Sequence, residues 1–214
     1  MKQTELKFPS SPFRTRGGAK VPHRKNTASA PSAVMPPPKE VVIPMQQHIG
    51  APCTPTVKKG DAVLVGTVVG AAGGFVGAAI HSGVSGTVEA VETVHMPNGR
   101  SVPAVVIRAD GEQTPDPACV PPEVTDHASL IAAVQACGLV GLGGAGFPTH
   151  VKISSAVGKA DNIIINVAEC EPYITADHRL MLEHGEKIIG GVRFIMKALQ
   201  LDHAYIGIED NKMN

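Results

Sequence analysis

The sequence predicts a mixed α+β and α/β protein in two parts: a small β-rich domain, then the first part of an α/β unit. Three observations carry this. Residues 41–110 hold short apolar runs separated by glycine and proline turns, a spacing that suits a small sandwich or barrel. Residues 125–214 alternate helical patterns with two apolar runs, Asn162–Asn166 and Ala204–Ile208, which suits α/β. The 23 glycines and 18 prolines imply many tight turns rather than a bundle.

In chain order, residues 1–40 are rich in Pro, Ser, Lys and Arg with little apolar periodicity. Lys2, Lys7, Arg14, Arg16, Lys20, Arg24 and Lys25 face only Glu5 over residues 1–25. A solvated, extended arm is the expectation, the other reading being a segment that orders against a partner subunit. Val41–Ile43 reads as a strand and Val57–Asp61 as a strand running into a turn; Ala62–Gly66 and Val68–Gly70 follow. Small turn residues from Ser82 to Gly86 lead into alternating apolar positions up to Val91. Pro97-Asn98-Gly99-Arg100 signals a hairpin turn, with Val102–Ile107 returning. Residues 111–124, with Pro115, Pro117, Pro121 and Pro122, read as a linker. A helix capped by Thr125 or Asp126 places Leu130, Ile131, Val134 and Cys137 on one face, and Gly138 ends it. After the glycine-rich run come the Asn162–Asn166 strand and a helix from Thr175 to about Glu183. A second helix from about Glu186 to Leu199 leads to the Ala204–Ile208 strand.

Composition removes several function classes. Acidic and basic residues number 19 each, so no global field favours nucleic acid or a membrane surface. Trp is absent and aromatics are scarce, which leaves no base-stacking platform. No apolar run has the length of a membrane span and no signal-peptide core opens the chain, so the default is a cytoplasmic protein without direct membrane insertion. Cys53, Cys119, Cys137 and Cys170 show no C-x-x-C spacing, so neither a zinc knuckle nor an iron–sulfur site is read from them. His48 and His81 read as hydrogen-bonded structural residues, and no metal site is expected.

The chemistry-bearing stretch is Gly141 to Lys152. Gly141, Gly143 and Gly146 fit G-x-G-x-x-G, with Gly144 adding a fourth glycine. An ordinary dinucleotide turn needs a strand before and a helix after. Here the preceding residues look helical and Pro148 disfavours a helical Phe147. Glycines nevertheless offer exposed backbone N–H groups, and Lys152 adds a point charge. Downstream, the buried-looking strand empties into Glu169-Cys170-Glu171. A backbone cradle, a lysine and carboxylates at a strand end suit a phosphorylated cofactor. The competing reading is a glycine loop that turns a corner, with Lys152 on the surface, Phe147 in the core and Asn166 capping the next turn. Glu169 and Glu171 alternate along an extended segment and need not cooperate. Cys170 between them reads as a packed thiol.

Two resemblances follow from these residues. The K-K-G-D-x-V phrase from Lys58 and the later S-G-x-V phrase resemble lipoyl/biotinyl-type domains, the barrel-sandwich hybrid. Those carriers present a lysine on a hairpin; here Ala71–His81 holds none, so a docking platform is expected instead. Gly141–Lys152, Ile165–Glu183 and Ile206–Lys212, with Val21–Lys25 and Gln46–Pro52 upstream, resemble the C subunit of the Rnf complex. That complex is a membrane-bound ion-translocating ferredoxin:NAD oxidoreductase. The glycine loop is also similar, more distantly, to the flavin- and NADH-binding 51-kDa subunit of respiratory complex I.

The resemblance implies FMN as cofactor, held by Gly141, Gly143, Gly144, Lys152, Asn166 and Glu169, with Phe147 and Glu171 on the NADH side. It implies hydride transfer between NADH and flavin, with electrons leaving singly toward iron–sulfur centres, and no side chain as catalytic acid or base. It covers only the N-terminal half of the family's chain, so the 4Fe-4S clusters belong to a C-terminal part not in this sequence. Ala168 stands where the complex I pattern has an acidic residue. Partners would be other subunits of an Rnf-type complex, placing the chain peripherally on the inner face of the cell membrane. The alternatives are a paralogous flavin subunit of another reductase, acting with cobalamin or amino acids, and a non-catalytic docking module.

Overall fold

The computed structural model describes residues 21–142 and 144–212; Gly143 and residues 1–20 of the arm lie outside the described residues. The β half comprises β1 (Glu40–Pro44), β2 (Thr54–Pro55), β3 (Ala62–Val63), β4 (Val68–Ala71), β5 (Ile80–His81), β6 (Gly86–His95) and β7 (Ser101–Ala109). They form a four-stranded sheet in the order β1-β7-β6-β3 and a three-stranded sheet in the order β2-β4-β5. The β6–β7 hairpin dominates it: Gly86 pairs with Ala109 and His95 with Ser101, with a register shift between Val88 and Ala90. Its turn closes where Pro97–Arg100 predicts, through Met96 N–H to Arg100 O at 2.8 Å.

Between the sheets lie Ile43, Met45, Cys53, Val63, Val69, Ile80, Val84, Val88, Val105 and Ile107, all buried. Aliphatic side chains of this size each contribute about 1.5–3 kcal/mol when fully buried, so this cluster is what holds the two sheets face to face. The strand expected over Val57–Asp61 does not form. That stretch is a turn, in which Asp61 Oδ2 accepts from Lys58 N–H at 2.9 Å, and the pairing moves upstream to β2. Lys59-Gly60 supplies turn chemistry that outweighs a single Val57.

The stretch expected to be a linker is laid against the barrel. Val65 N–H donates to Thr114 O at 2.9 Å, and Asp116 N–H to Val65 O at 2.8 Å. Thr67 Oγ1 donates to Asp116 Oδ2 at 2.6 Å, and Thr114 N–H to Ser85 Oγ at 3.0 Å. Hydrogen bonds from Thr67 and the Ala118 backbone hold the Asp116 carboxyl below its ordinary range.

The second half runs α1 (His127–Ala136), α2 (Thr149–Ala156), β8 (Asn162–Val167), α3 (Ala176–Leu199) and β9 (His203–Ile208). Asp126 caps α1 in a reciprocal box with Ser129. α1 packs on α2 through Leu130, Val134 and Ile153. α2 is an element the sequence reading missed. Pro148 keeps Phe147 out of the helix and stands itself at the N-cap (φ −57°, ψ 123°), so the helix begins at Thr149. β8 and β9 pair in parallel, Asn162 with His203 through Val167 with Ile208, so α3 is the crossover of a βαβ unit. The two helices expected from Thr175 to Leu199 form, meeting within α3 at a kink where the backbone of His184 is non-helical (φ −136°, ψ 29°), beside Gly185. Ile164, Tyr205, Ile206 and Ile208 remain exposed on the two-stranded sheet. No helix among the described residues is long and apolar enough to cross a membrane.

Candidate functional site

The glycine loop is closed at its neck. Val140 pairs with Pro148 as an antiparallel bridge, Gly141 N–H donates to Phe147 O at 2.9 Å, and Thr149 N–H donates to Leu139 O at 3.0 Å. Leu142 is 93% exposed at the loop's outer edge, and the space beside Gly144, where a side chain would stand, is empty within 4 Å. Phe147 is half-buried at the neck. Lys152 lies on α2 and its ammonium returns to the loop: a Cβ on Gly141 would lie 3.3 Å from Lys152 Nζ. The structure therefore brings Gly141, Phe147 and Lys152 together, with Gly144 on the same loop.

What sets the loop's position is the barrel. The Ala71–His81 hairpin, at the place where a lipoyl-type carrier keeps its lysine, docks the chain's own second half. Gln135 Nε2 donates to Gly77 O at 3.3 Å, and Ala79 N–H donates to Gln135 O at 3.4 Å. His150 is fully buried, and its Nε2–H donates to Phe75 O at 2.7 Å, with the two rings edge-on at 5.5 Å. That bond fixes a proton on Nε2, while Nδ1 lies buried with no hydrogen-bond partner among the described residues. Two glycines allow the close approach. Gly138, at φ +71°, would put a Cβ 2.3 Å from Ala79 O; Gly146, at φ +63°, would put one 3.1 Å from Gln47 O.

Between loop and barrel runs an open cleft of about 950 Å³, with Gly141 and Gly144 on one wall and Gln47, His81 and Arg100 on the other. His48 lies buried beneath it, its Nε2 3.2 Å from Ala78 N and 3.6 Å from Cys53 Sγ. Burial pushes the Cys53 thiol up, against an opposing pull from the Gly73 backbone, so Cys53 is an inert packed group.

The remaining candidates gather at the exit of β8. Asn166 is exposed and its Oδ1 accepts from Ala168 N–H at 3.0 Å, leaving its amide donors outside that turn. Glu169 is only 2% exposed. Its Oε1 accepts from Asp177 N–H at 2.7 Å, which caps α3, and its Oε2 pairs with Lys212 at 3.5 Å. Both oxygens are thus spent inside the chain. Cys170 is a free exposed thiol and Glu171 is exposed.

Sequence reasoning missed what holds this segment. Residues 23–32 of the basic arm lie along it, which corrects the expectation of a solvated extended arm over that stretch. Lys25 Nζ donates to the carbonyls of Glu169, Glu171 and Ile174 at 2.7, 2.8 and 2.6 Å. Tyr173 N–H donates to His23 O at 2.9 Å, and Thr27 Oγ1 meets Thr175 Oγ1 at 2.6 Å. Thr175, expected to cap α3 by its side chain, makes no such bond, because Thr27 engages it and Glu169 caps instead. The arm ends on Glu183, which accepts from Ser32 N–H at 2.9 Å and pairs with Arg179.

Hydrogen bonds from Arg179, then from Ser32, lower the Glu183 carboxyl from the ordinary 4.5 to about 2. A depressed folded-state value means these contacts act fully above the ordinary carboxylate range and are lost as pH falls toward 2. Acid titration is expected to release the Ser32 end of the arm between those values, read as faster pepsin cleavage near Ser32. Glu183→Gln is expected to show fast cleavage at every pH in the series.

Comparison with known proteins places both halves in known families. The RnfC barrel sandwich hybrid domain family matches residues 13–112, and the Nuo51 FMN-binding domain family matches residues 134–214. The chain is 46% identical over 202 residues to the C subunit of the Na(+)-translocating ferredoxin:NAD(+) oxidoreductase complex of Acetobacterium woodii, covering 92% of this chain and 46% of that one. It is 40% identical over 193 residues to the proton-translocating counterpart of Clostridium ljungdahlii, covering 88% of this chain and 42% of that one. To the C subunit of the ion-translocating oxidoreductase complex of Rhodobacter capsulatus it is 40% identical over 213 residues, covering 97% and 41%. The chain spans less than half the length of these relatives. With a barrel-sandwich hybrid domain leading into an FMN-binding domain, the chain belongs to the family of Rnf complex C subunits and corresponds to their N-terminal half.

Proposed function

We propose that this chain forms part of the FMN site and the NADH contact of a peripheral electron-transfer subunit in an Rnf-type, ion-translocating complex. The carrying observation is the Lys152 ammonium held beside Gly141, on a loop with open space at Gly144. A side chain at either glycine would occupy that space, and a flavin phosphate would find a cation there. Bound FMN would supply hydride acceptance from NADH and one-electron release toward iron–sulfur centres. The chain's residues do the placing. Lys152 fixes the anionic end, Asn166 offers amide donors to the ring edge, Phe147 gives an aromatic face to the nicotinamide, and Glu171 accepts from a ribose or carboxamide. Gly143 belongs to the same loop by sequence. Glu169 serves flavin indirectly, by fixing the segment that carries Glu171. Partners would be the other subunits of the complex at the inner face of the membrane, with 4Fe-4S clusters in the part of the family beyond this chain.

The docking-module alternative is less well supported. The hairpin and the described part of the arm, the surfaces it would offer a partner, are both used inside the chain. The proposal is tested by titrating the chain with FMN and following flavin fluorescence. Saturable binding is expected, weakened about ten- to a hundred-fold by Lys152→Ala, the loss of one charged hydrogen bond. Saturable binding unaffected by that change would remove Lys152 from the site, and no binding would contradict the proposal.

A further inference from the structure

We infer that Lys25 is a positioning residue: its ammonium shapes the segment from Glu169 to Ile174 so that Glu171 is presented to a nicotinamide nucleotide. This rests on the FMN and NADH reading of the site.

A lysine ammonium has three N–H donors and no acceptor. All three find backbone carbonyls at 2.6–2.8 Å, on residues that lie outside helix and strand. In an extended segment, carbonyls two residues apart share a side, as those of Glu169 and Glu171 do, while that of Ile174, five residues after Glu169, would face the other way. Ile174 O nevertheless reaches the same cation, so the segment turns back on it between Glu171 and Ile174. Tyr173 adopts φ +70°, a left-handed conformation rare for a non-glycine residue, and gives its N–H to His23 O. With its carbonyls turned toward Lys25, the segment leaves Cys170 and Glu171 exposed. Glu169 completes the fixation from the other side, through Asp177 N–H and Lys212. The charge of Lys25 also reaches Glu209, whose carboxyl is lowered chiefly by Lys212.

Geometry and charge are separable. Lys25→Met keeps the stem and removes every donor. Lys25→Arg keeps the charge, but a planar fork cannot converge on three carbonyls. Two readouts decide, on the 214-residue chain. The first is hydrogen exchange of the Tyr173 amide, which is bonded to His23 O. Its rate is expected to rise about ten-fold in Lys25→Met and several-fold in Lys25→Arg, an opening of the order of one decade in equilibrium. Iodoacetamide is the control for global unfolding: Cys137, exposed at the C-cap of α1, is expected to keep its rate, and buried Cys53 to stay unlabelled. Where Lys25→Met exposes Cys53 and so marks global unfolding, Thr27→Val, which breaks the neighbouring contact to Thr175, decides in its place.

The second readout is NADH titration at saturating FMN. Its Kd is expected to rise about ten-fold in both Lys25 variants, while the FMN Kd stays within about two-fold. An unchanged Tyr173 exchange rate overturns the positioning role. Lys25→Arg behaving as wild type in both readouts overturns the carbonyl account in favour of charge alone. Faster Tyr173 exchange with an unchanged NADH Kd overturns the nucleotide part. A wild-type chain that binds neither ligand contradicts the FMN and NADH reading itself and removes the nucleotide role with it, while Tyr173 exchange still decides whether Lys25 shapes the segment.

Discussion

Gly138→Val is expected to uncouple the two halves of the molecule and abolish flavin binding at concentrations where the wild-type chain saturates. The reasons add at one position. Gly138 has φ +71°, where an L side chain costs about 1–2 kcal/mol. Its Cβ would meet Ala79 O at 2.3 Å and the His81 ring at 3.2 Å, so backbone on the barrel side has to retreat. Overpacking of that kind costs roughly 1–3 kcal/mol more. Because Gly138 leads directly into the glycine loop, the displacement is passed to Gly141 and to the cleft. Calorimetry is expected to show a separate, lower transition for the α/β half, with the barrel transition kept by its own core. A single transition at the wild-type temperature would mean that the hairpin contact does not couple the halves.

Glu169→Ala carries the second large effect, a loss of about 3 kcal/mol in urea unfolding, at the lower end of the range for breaking a buried ion pair. The lower end applies because Lys212 keeps Glu209 at 2.7 Å when Glu169 is removed. What Glu169 alone supplies is the acceptor for Asp177 N–H at the start of α3, which the alanine variant leaves unsatisfied. Glu169→Gln retains an acceptor and is expected to lose less than half as much. Equal losses in the two variants would place the effect in the charge rather than the cap.

Much of this architecture was legible in the sequence, and the misses have physical causes. The β6–β7 hairpin announces itself through alternation on both sides of a Pro-Asn-Gly turn, and β8 through three consecutive isoleucines. The glycine just past the C-cap of α1 and the break near His184 were readable as local chemistry. α2 was not, because Pro148 argues against a helix at Phe147 while giving no warning that one begins a residue later. β2 and β5 are two residues each and exist only because long-range sheet closure pairs them. Lys25 shows the limit most sharply. Its charge reads as part of a solvated arm, and its carbonyl partners lie 144 to 149 residues away, so nothing local reports the contact. At the site, the glycine loop and Lys152 were legible as a pair. The burial of Glu169 was not, since its cap partner and Lys212 become neighbours only through the βαβ fold.

On the proposed reading, the glycine loop and the exit of β8 hold one flavin between them. Amide hydrogen exchange with and without FMN tests it directly. Slowed exchange is expected over residues 138–152 and 166–174 in the same titration, with β1 unchanged. Protection of only one of these segments, or of the barrel alone, would contradict it.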